Sequence, residues 1–336
     1  MNRDELHSIA EQLMAPNKGI LAADESVVSA NKRLRAVNVA GSKDNRRRYR
    51  QLFFWIPGIE ENLSGIILHD ETIKQNDENE KPFVQILIDK GIIPGIKVDA
   101  GTEDLAFFPK EKITEGLDGL PSRLKKYHKM GARFAKWRAV ITIGNNTPTS
   151  ACIDANAHEL ARYAALCQAS GIVPIVEPEV LMDGKHTIEQ CEEATTRILK
   201  HLFSEAEKYR VDMGGLILKS NMIISGKKCK AQATADEIAE ATLRTFHATV
   251  PVGLAGIVFL SGGQGAAQAT ENLNAISKKN QGPWPMTFSY ARALQGPSLE
   301  IWRGDDTKLL EAREIFLKRL RLTAAARNGM YTSEME

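Results

Sequence analysis

Two lysines of this chain belong to apolar runs that are typical of buried β-strands. Lys219 follows the run Gly214–Leu218, and Lys136 lies within Phe134–Arg138. A lysine at the end of a buried strand is costly to desolvate, so it must pair with another group or lose its charge. A desolvated lysine near a second cation is a nucleophile at neutral pH. The two lysines therefore indicate amine chemistry.

Eight short apolar or β-branched runs alternate with helical patterns. The runs are Gly19–Ala23, Gly65–Leu68, Pro94–Val98, Ala132–Trp137, Ile172–Val176, Gly215–Leu218, Ala255–Leu260 and Met286–Phe288. Most are continuously apolar, as expected for parallel strands covered on both faces. The pattern predicts an α/β fold, a single (β/α)8 barrel domain over residues 1–336 with extra N- and C-terminal helices. A doubly wound sheet is the alternative, but the eight runs and the absence of GxGxxG disfavour it.

Several residues mark the expected ends of helices. The predicted boundaries are capping boxes at Thr187/Gln190 and Thr234/Glu237, a start at Pro121 with an end at Gly131, and a helix between Asp154 and Gly171. Asn2–Met14 is predicted to form a short amphipathic helix instead of an apolar secretory signal. Arg46–Arg48 is interpreted as the solvated start of another helix, in preference to a phosphate or partner contact.

Charged and polar residues follow the ends of the predicted strands, where side chains of a barrel converge on one mouth. They are Asp24, His69, Asp70, Lys97, Asp99, Lys136, Arg138, Glu177, Glu179, Lys219, Ser261, Ser289 and Arg292. Any single one could belong to a buried ion pair that holds the barrel together. Burying all of them without a function would be too costly, so we predict one shared site.

A glycine-rich turn, Ser261–Gly265, follows the seventh predicted strand and opens a helical pattern. Such a turn offers free N–H groups and a positive dipole end to a phosphate. Barrels often bind phosphate after strands seven and eight, and Arg292 could add a bidentate contact. A glycine turn alone is more often a plain helix cap, but this position favours a phosphate site.

A second cationic set, Arg33 and Lys97, lies near Ser26 and Ser29 after the first and third predicted strands. It could hold another phosphate across the mouth, although spacing alone supports surface solvation equally well. Two anionic ends with an amine between them would suit a doubly phosphorylated sugar.

The composition limits the classes of partner. Forty-four basic residues against 42 acidic ones give a net charge of +2, from which no general attraction to nucleic acid or membrane follows. The four cysteines form no CxxC, which favours a reducing compartment and argues against a zinc site. No stretch approaches the roughly 18 apolar residues of a membrane helix. We expect a cytoplasmic protein.

Over nearly its whole length the chain resembles the class I fructose-bisphosphate aldolases, a family of (β/α)8 barrels. The matching segments are Gly19–Ser26, Asn45–Leu52, Gly95–Asp99, Phe134–Arg138, Ile175–Glu179, Phe259–Gln264 and Phe288–Leu294. Together and in this order they are very specific. The resemblance implies a homotetramer that cleaves fructose 1,6-bisphosphate in glycolysis and gluconeogenesis through a lysine Schiff base, with no metal or other cofactor. Sedoheptulose 1,7-bisphosphate is a second candidate substrate.

The resemblance also implies roles for individual residues. Lys219 would attack the C2 ketone, Glu177 would be the general acid/base of carbinolamine dehydration, and Asp24 would take the C4 hydroxyl proton. Lys136 would favour the neutral form of Lys219, and Glu179 would join the same hydrogen-bonded network. The C1 phosphate would contact Ser261, Gly262 and Arg292, and the other phosphate would contact Ser26, Ser29, Arg33 and Lys97.

The sequence departs from the family at four places. Ser220 replaces the usual proline, Ala291 replaces a frequent glycine, and Val27–Val28 replaces Thr-Gly, which disfavours close backbone approach to a phosphate. The sequence also ends at Glu336, without the family's tyrosine-ending tail that assists proton transfer at C3 of the enamine. We do not transfer that role to Tyr331, and we expect slower enamine protonation or a different proton donor.

Two alternative functions remain open from the sequence. A transaldolase-like Schiff-base lyase would need only one phosphate set, so the two predicted sets argue against it. An inactive barrel used for binding or scaffolding is disfavoured by the joint presence of Asp24, Lys136, Glu177 and Lys219. A coupled cleavage assay would separate the enzymes from the scaffold.

Overall fold

Eight parallel strands close into a barrel in the computed structural model, which describes residues 3–336. Residues 3–336 contain ten strands in all: β1 (Gly19–Ala23), β2 (Leu63–Leu68), β3 (Ile93–Lys97), β4 (Gly101–Asp104), β5 (Lys112–Glu115), β6 (Phe134–Ile141), β7 (Val173–Val180), β8 (Ile217–Ser220), β9 (Gly256–Phe259) and β10 (Met286–Tyr290). Around the barrel the order is β1-β2-β3-β6-β7-β8-β9-β10, and β10 pairs with β1. The predicted barrel is confirmed. The antiparallel β4–β5 hairpin between two barrel strands was not predicted.

Within residues 3–336, eleven α-helices surround the barrel. They are α1 (Arg3–Leu13), α2 (Val27–Ala36), α3 (Lys43–Phe54), α4 (Phe83–Asp89), α5 (Leu120–Lys129), α6 (Ser150–Ala169), α7 (Ile188–Lys208), α8 (Ala235–Thr249), α9 (Ala266–Lys279), α10 (Arg292–Trp302) and α11 (Leu309–Arg327). The predicted N-terminal helix is α1, and Asn2 lies outside the described residues. Within residues 3–336 no helix has the length and apolarity needed to cross a membrane.

Local signals set most of the predicted helix boundaries. Both capping boxes form as predicted, at the starts of α7 and α8. Pro121 lies in the first turn of α5, and Gly131 follows the end of that helix with φ +104°. The predicted start at Asp154 is wrong. Helix α6 begins at Ser150 because the Thr149 side chain accepts the N–H of Cys152 at 3.2 Å, which caps the helix earlier.

The interpretation of Arg46–Arg48 as a solvated helix start is also wrong. These residues lie inside α3, and Arg46 is only 9% exposed. Its guanidinium donates to both carboxylate oxygens of Glu71, at 2.7 and 2.6 Å. Arg48 donates to Asp306 at 2.7 Å. The basic run therefore ties α3 to neighbouring segments, an arrangement that a charge count along the sequence does not reveal.

The N-terminal end of the barrel is filled with apolar side chains. Leu6 and Leu13 of α1 belong to the same buried cluster as Phe134 and Ile217 of the barrel strands. The Phe134 ring occupies the space beside Gly95, where a Cβ atom would come within 2.3 Å of it. A side chain at position 95 would therefore displace the ring. This packing closes one end of the barrel and leaves the opposite end, at the carboxyl ends of the strands, for polar groups.

Candidate functional site

Three neighbouring barrel strands bring two lysines and a glutamate together. Lys136 on β6 and Lys219 on β8 are each 3% exposed, and Glu177 comes from β7 between them. Glu177 Oε1 lies 3.2 Å from Lys219 Nζ, and Glu177 Oε2 lies 3.2 Å from Lys136 Nζ. Asp24, just beyond β1, lies 2.7 Å from Lys136 through Oδ2. The result is a buried row that alternates carboxylate and amine.

The fields within this row set the resting charges of three groups. Burial alone would raise the pKa of Glu177, but Lys136 and Lys219 outweigh that effect and hold it below its ordinary value. Burial would likewise raise the pKa of Asp24, which the same two lysines hold well below its usual range. Burial opposes charge on Lys136, yet Asp24 and Glu177 raise its pKa. The site therefore holds two carboxylates and an ammonium, and Glu177 can accept a proton before it donates one.

A cavity of about 900 Å³ opens at the carboxyl ends of the strands, directly over this row. It is lined by every residue for which the sequence predicted a catalytic or phosphate-binding role: Asp24, Ser26, Ser29, Arg33, Lys97, Lys136, Glu177, Glu179, Lys219, Ser261, Gly262 and Arg292. Asp70, which was also expected in the shared site, does not line the cavity and contacts Lys74 and Tyr127 instead. The structure thus brings these side chains together at one cavity. Among residues 3–336, no group of three or more His, Cys, Asp or Glu side chains is placed to hold a metal ion.

Glu179 lies in the cavity, but its ion-pair partner is Arg138 and not a lysine. Arg138 lies on β6, the strand next to β7, and its Nε donates to Oε2 of Glu179 on β7. The backbone N–H of Arg138 donates to Asp99 Oδ2 at 3.3 Å, and Asp99 Oδ1 lies 2.5 Å from Lys97 Nζ. Asp99 therefore links the Lys97 side to the Arg138–Glu179 pair, next to the row of alternating charges.

The glycine turn after β9 leads into α9, whose first residue is Ala266. Gly262 and Gly263 have φ values of +57° and +88°, a region that favours glycine. Gly265 occupies the N-cap position without a side-chain cap, so the first N–H groups of α9 are not covered by a cap. A Cβ atom at Gly263 would lie 3.2 Å from Arg292 Nη2. The turn, the helix start and the guanidinium thus face one region, as a phosphate site requires.

The second cationic set is not simply solvated. The side chains of Arg33 and Lys97 are 20% and 16% exposed, and each is ion-paired, Arg33 with Glu25 and Lys97 with Asp99. Ser26 caps α2, since its Oγ accepts the N–H of Ser29 at 3.3 Å. These contacts hold the two cations at the mouth of the cavity, beside the start of α2 with the hydroxyl groups of Ser26 and Ser29.

Sequence reasoning missed three polar residues that line the cavity, Glu25, Lys32 and Thr102. The carboxylate of Glu25 forms ion pairs with Arg33 and with the buried Arg50. No local sequence pattern indicates these contacts. Lys32 could have been found, because it follows Ser29 by one helical turn. Thr102 belongs to the unpredicted hairpin. In addition, the buried Ser289 Oγ lines the cavity and has no hydrogen-bond partner within the described part of the chain.

Comparison with known proteins agrees with this geometry. A family model described as fructose-bisphosphate aldolase class-I matches residues 5–336. A Xanthomonas campestris protein named probable fructose-bisphosphate aldolase class 1 is 48% identical over 98% of this chain and 99% of its own. An Arabidopsis thaliana protein named fructose-bisphosphate aldolase 6, cytosolic, is 46% identical over 98% and 92%. A Plasmodium falciparum fructose-bisphosphate aldolase structure superposes with a TM-score of 0.97, at 43% identity, over 98% of this chain and 96% of its own.

Proposed function

Because the chain belongs to the class-I fructose-bisphosphate aldolase family, we propose that Lys219 forms the Schiff base through which it cleaves fructose 1,6-bisphosphate. The reaction is a reversible step of glycolysis and gluconeogenesis. Its products are dihydroxyacetone phosphate and glyceraldehyde 3-phosphate. The assignment of Lys219 and its neighbours to individual steps follows from the geometry of the cavity.

The observation that carries this assignment is the sharing of Glu177 between the two lysines. Lys136 is held as an ammonium by Asp24 and Glu177, so it is a fixed cation and a poor nucleophile. Among residues 3–336, Glu177 is the one carboxylate within ion-pair distance of Lys219. Lys219 can pass a proton to Glu177 and become a neutral amine, whereas Lys136 supplies charge.

In the first half of the reaction, the neutral Nζ of Lys219 attacks C2 of the open-chain sugar and forms a carbinolamine. Glu177, protonated by then, donates a proton to the C2 hydroxyl as it leaves as water, and an iminium results. The order in which Glu177 acts follows from its lowered pKa, because a carboxylate must take a proton before it can return one.

In the second half, Asp24 takes the proton of the C4 hydroxyl. The C3–C4 bond breaks, glyceraldehyde 3-phosphate forms at C4, and the electron pair moves to the iminium to give an enamine on Lys219. Asp24 is suited to this role because Lys136 and Lys219 keep it ionised at the cavity wall. Protonation of the enamine at C3 and hydrolysis then release dihydroxyacetone phosphate.

The two phosphates of the substrate would occupy opposite sides of the cavity. We assign the C1 phosphate to Ser261, Gly262 and Arg292, because the glycine turn opens α9 beside that guanidinium. The other phosphate would contact Ser26, Ser29, Arg33 and Lys97. In the free enzyme Glu25 pairs with Arg33 and Asp99 pairs with Lys97. A bound phosphate must therefore share these two cations with the carboxylates.

Borohydride reduction in the presence of dihydroxyacetone phosphate tests the assignment of the nucleophile. Reduction of the imine fixes the three-carbon unit on one lysine, which peptide mass mapping identifies. We expect the label on Lys219, none in Lys219→Met, and normal labelling in the control Lys228→Met, since Lys228 is exposed. Labelling of Lys136, or no label in the unmodified enzyme, would overturn the proposal.

Three broader assignments accompany this one. We propose that residues 1–336 form one catalytic domain, since β1 and β10 from opposite ends of the chain pair to close the barrel. We also propose a homotetramer that works in the cytoplasm. The family resemblance supports the tetramer, and the cytosolic name of the Arabidopsis relative supports the location. Light scattering of the purified protein, with an expected mass of four chains, tests the assembly.

A further inference from the structure

His69 lies just after β2, and its ring lines the same cavity as Asp24 and Lys97. The Nδ1 atom accepts the backbone N–H of Glu71 at 3.3 Å, at the start of the 3-10 helix Thr72–Lys74. In a neutral ring, an accepting Nδ1 leaves the proton on Nε2. Within residues 3–336, Nε2 has no hydrogen-bond partner. The residue therefore presents an unused N–H donor at the wall of the cavity.

The surroundings of His69 keep its ring neutral. Burial lowers the pKa of His69, and the nearby cations Lys97 and Arg50 lower it further, against a smaller opposing effect of Asp24. An unprotonated ring retains the single N–H on Nε2 near neutral pH. It also adds no further charge to a wall that already carries Lys97, Lys32 and Arg33.

We propose that Nε2–H of His69 donates a hydrogen bond to an oxygen atom of the aldehyde half of the substrate, beyond the bond that breaks. This inference rests on the proposed function, in which Asp24 and Lys97 face that half. The contact of Nδ1 with Glu71 explains how the ring is oriented. That contact leaves Nε2–H without an acceptor. A hydroxyl or phosphate oxygen of glyceraldehyde 3-phosphate could accept its hydrogen bond.

Two substitutions separate the ligand contact from the local turn. In His69→Asn, the side-chain oxygen can still accept the N–H of residue 71, as in an Asx-turn, but the donor at the Nε2 position is lost. In His69→Gln, an amide N–H lies near the Nε2 position. If His69 only supports the local turn, His69→Asn should impair the enzyme less than His69→Gln. If His69 contacts the substrate, His69→Gln should impair it less.

The experiment is steady-state kinetics in the direction of condensation, where each product half has its own KM. We expect His69→Asn to raise the KM for glyceraldehyde 3-phosphate about tenfold, the loss of one hydrogen bond, with the KM for dihydroxyacetone phosphate unchanged. His69→Gln should recover most of the difference. An unchanged KM for the aldehyde in His69→Asn, or equal rises for both substrates, would overturn the inference.

Unphosphorylated glyceraldehyde then identifies the acceptor. If the ratio of KM between His69→Asn and the unmodified enzyme persists with this aldehyde, the acceptor is a hydroxyl, and if it disappears, the acceptor is the phosphate. Borohydride trapping of dihydroxyacetone phosphate needs no aldehyde, so it reports the proposed function separately. If Lys219 is trapped normally but His69→Asn leaves the KM for the aldehyde unchanged, the proposed role of His69 is rejected and the proposed function stands.

Discussion

Glu177 Oε1 lies 3.2 Å from Lys219 Nζ in a region that solvent hardly reaches. A proton that moves between these two atoms leaves the sum of their charges unchanged, so neutralising the amine does not require a charge to leave a buried site. The second oxygen of Glu177 contacts Lys136, which stays charged throughout. In the proposed mechanism this pair combines the nucleophile with the base that activates it, and Lys136 lowers the pKa of that base.

Replacement of Glu177 by glutamine should slow formation of the Schiff base. The amide keeps the size of the side chain but can neither take the proton of Lys219 nor return it to the leaving water. We expect kcat to fall by roughly 10²- to 10⁴-fold and the rate of borohydride labelling by dihydroxyacetone phosphate to fall with it. Glu240→Gln is the control, because Glu240 is exposed, pairs with Lys279 and does not line the cavity. Labelling of Glu177→Gln at the normal rate would contradict this role.

Replacement of Lys136 by methionine should destabilise the protein in a pH-dependent way. In the unmodified chain Asp24 and Glu177 have lowered pKa values, so their contribution to stability is full above their ordinary values of 3.8 and 4.5 and is lost as the pH falls through the folded-state values. Without Lys136, Asp24 has no ion pair within residues 3–336 and burial favours its protonated form, whereas Glu177 keeps only Lys219 as a partner. We expect a loss of about 3–5 kcal/mol in the free energy of unfolding at pH 7 and a smaller loss at pH 5.

Urea denaturation at the two pH values measures this effect. The double variant Lys136→Met/Asp24→Asn should recover part of the stability at pH 7, because it removes the carboxylate that loses its ion-pair partner within residues 3–336, whereas Glu177 keeps Lys219. A stability difference that is the same at pH 5 and pH 7 would show that Lys136 contributes through packing and not through charge.

Much of the cavity lining could be predicted from the sequence because strand ends form most of the cavity floor. Lys136, Glu177 and Lys219 each end or interrupt an apolar run, and parallel strands in a closed barrel bring their carboxyl ends together. Contacts between distant segments could not be predicted in this way. Glu25 binds Arg33 and Arg50 through tertiary packing, and the β4–β5 hairpin lies in a connection without apolar periodicity. Judged by the polarity of their sequence neighbours alone, such residues would be predicted to lie in solvent.

Two of the three glycines in the turn Ser261–Gly265 should differ sharply in their tolerance of alanine. Gly263 has φ +88°, and a Cβ atom there would meet Lys227 Nζ at 2.8 Å and Arg292 Nη2 at 3.2 Å. Gly265 has φ −60°, and nothing lies within 4 Å of a Cβ atom placed on it. We expect Gly263→Ala to raise the KM for fructose 1,6-bisphosphate severalfold, because the turn is strained and Arg292 is displaced. Gly265→Ala should behave like the unmodified enzyme in the same assay. Equal KM values for the two variants would argue against a phosphate contact at this turn.

The two sides of the cavity should respond differently to a substrate with one phosphate. Arg292→Gln removes a charged donor from the proposed C1 phosphate site, so the KM should rise roughly 10- to 100-fold for both fructose 1,6-bisphosphate and fructose 1-phosphate. Arg33→Lys keeps a cation for Glu25 but loses the planar fork, so the KM should rise only for the bisphosphate. Both variants are measured in the same coupled cleavage assay, and the ratio of the two KM values is compared with that of the unmodified enzyme. A rise for fructose 1-phosphate in Arg33→Lys equal to that for the bisphosphate would show that Arg33 shapes the cavity as a whole and does not bind the second phosphate.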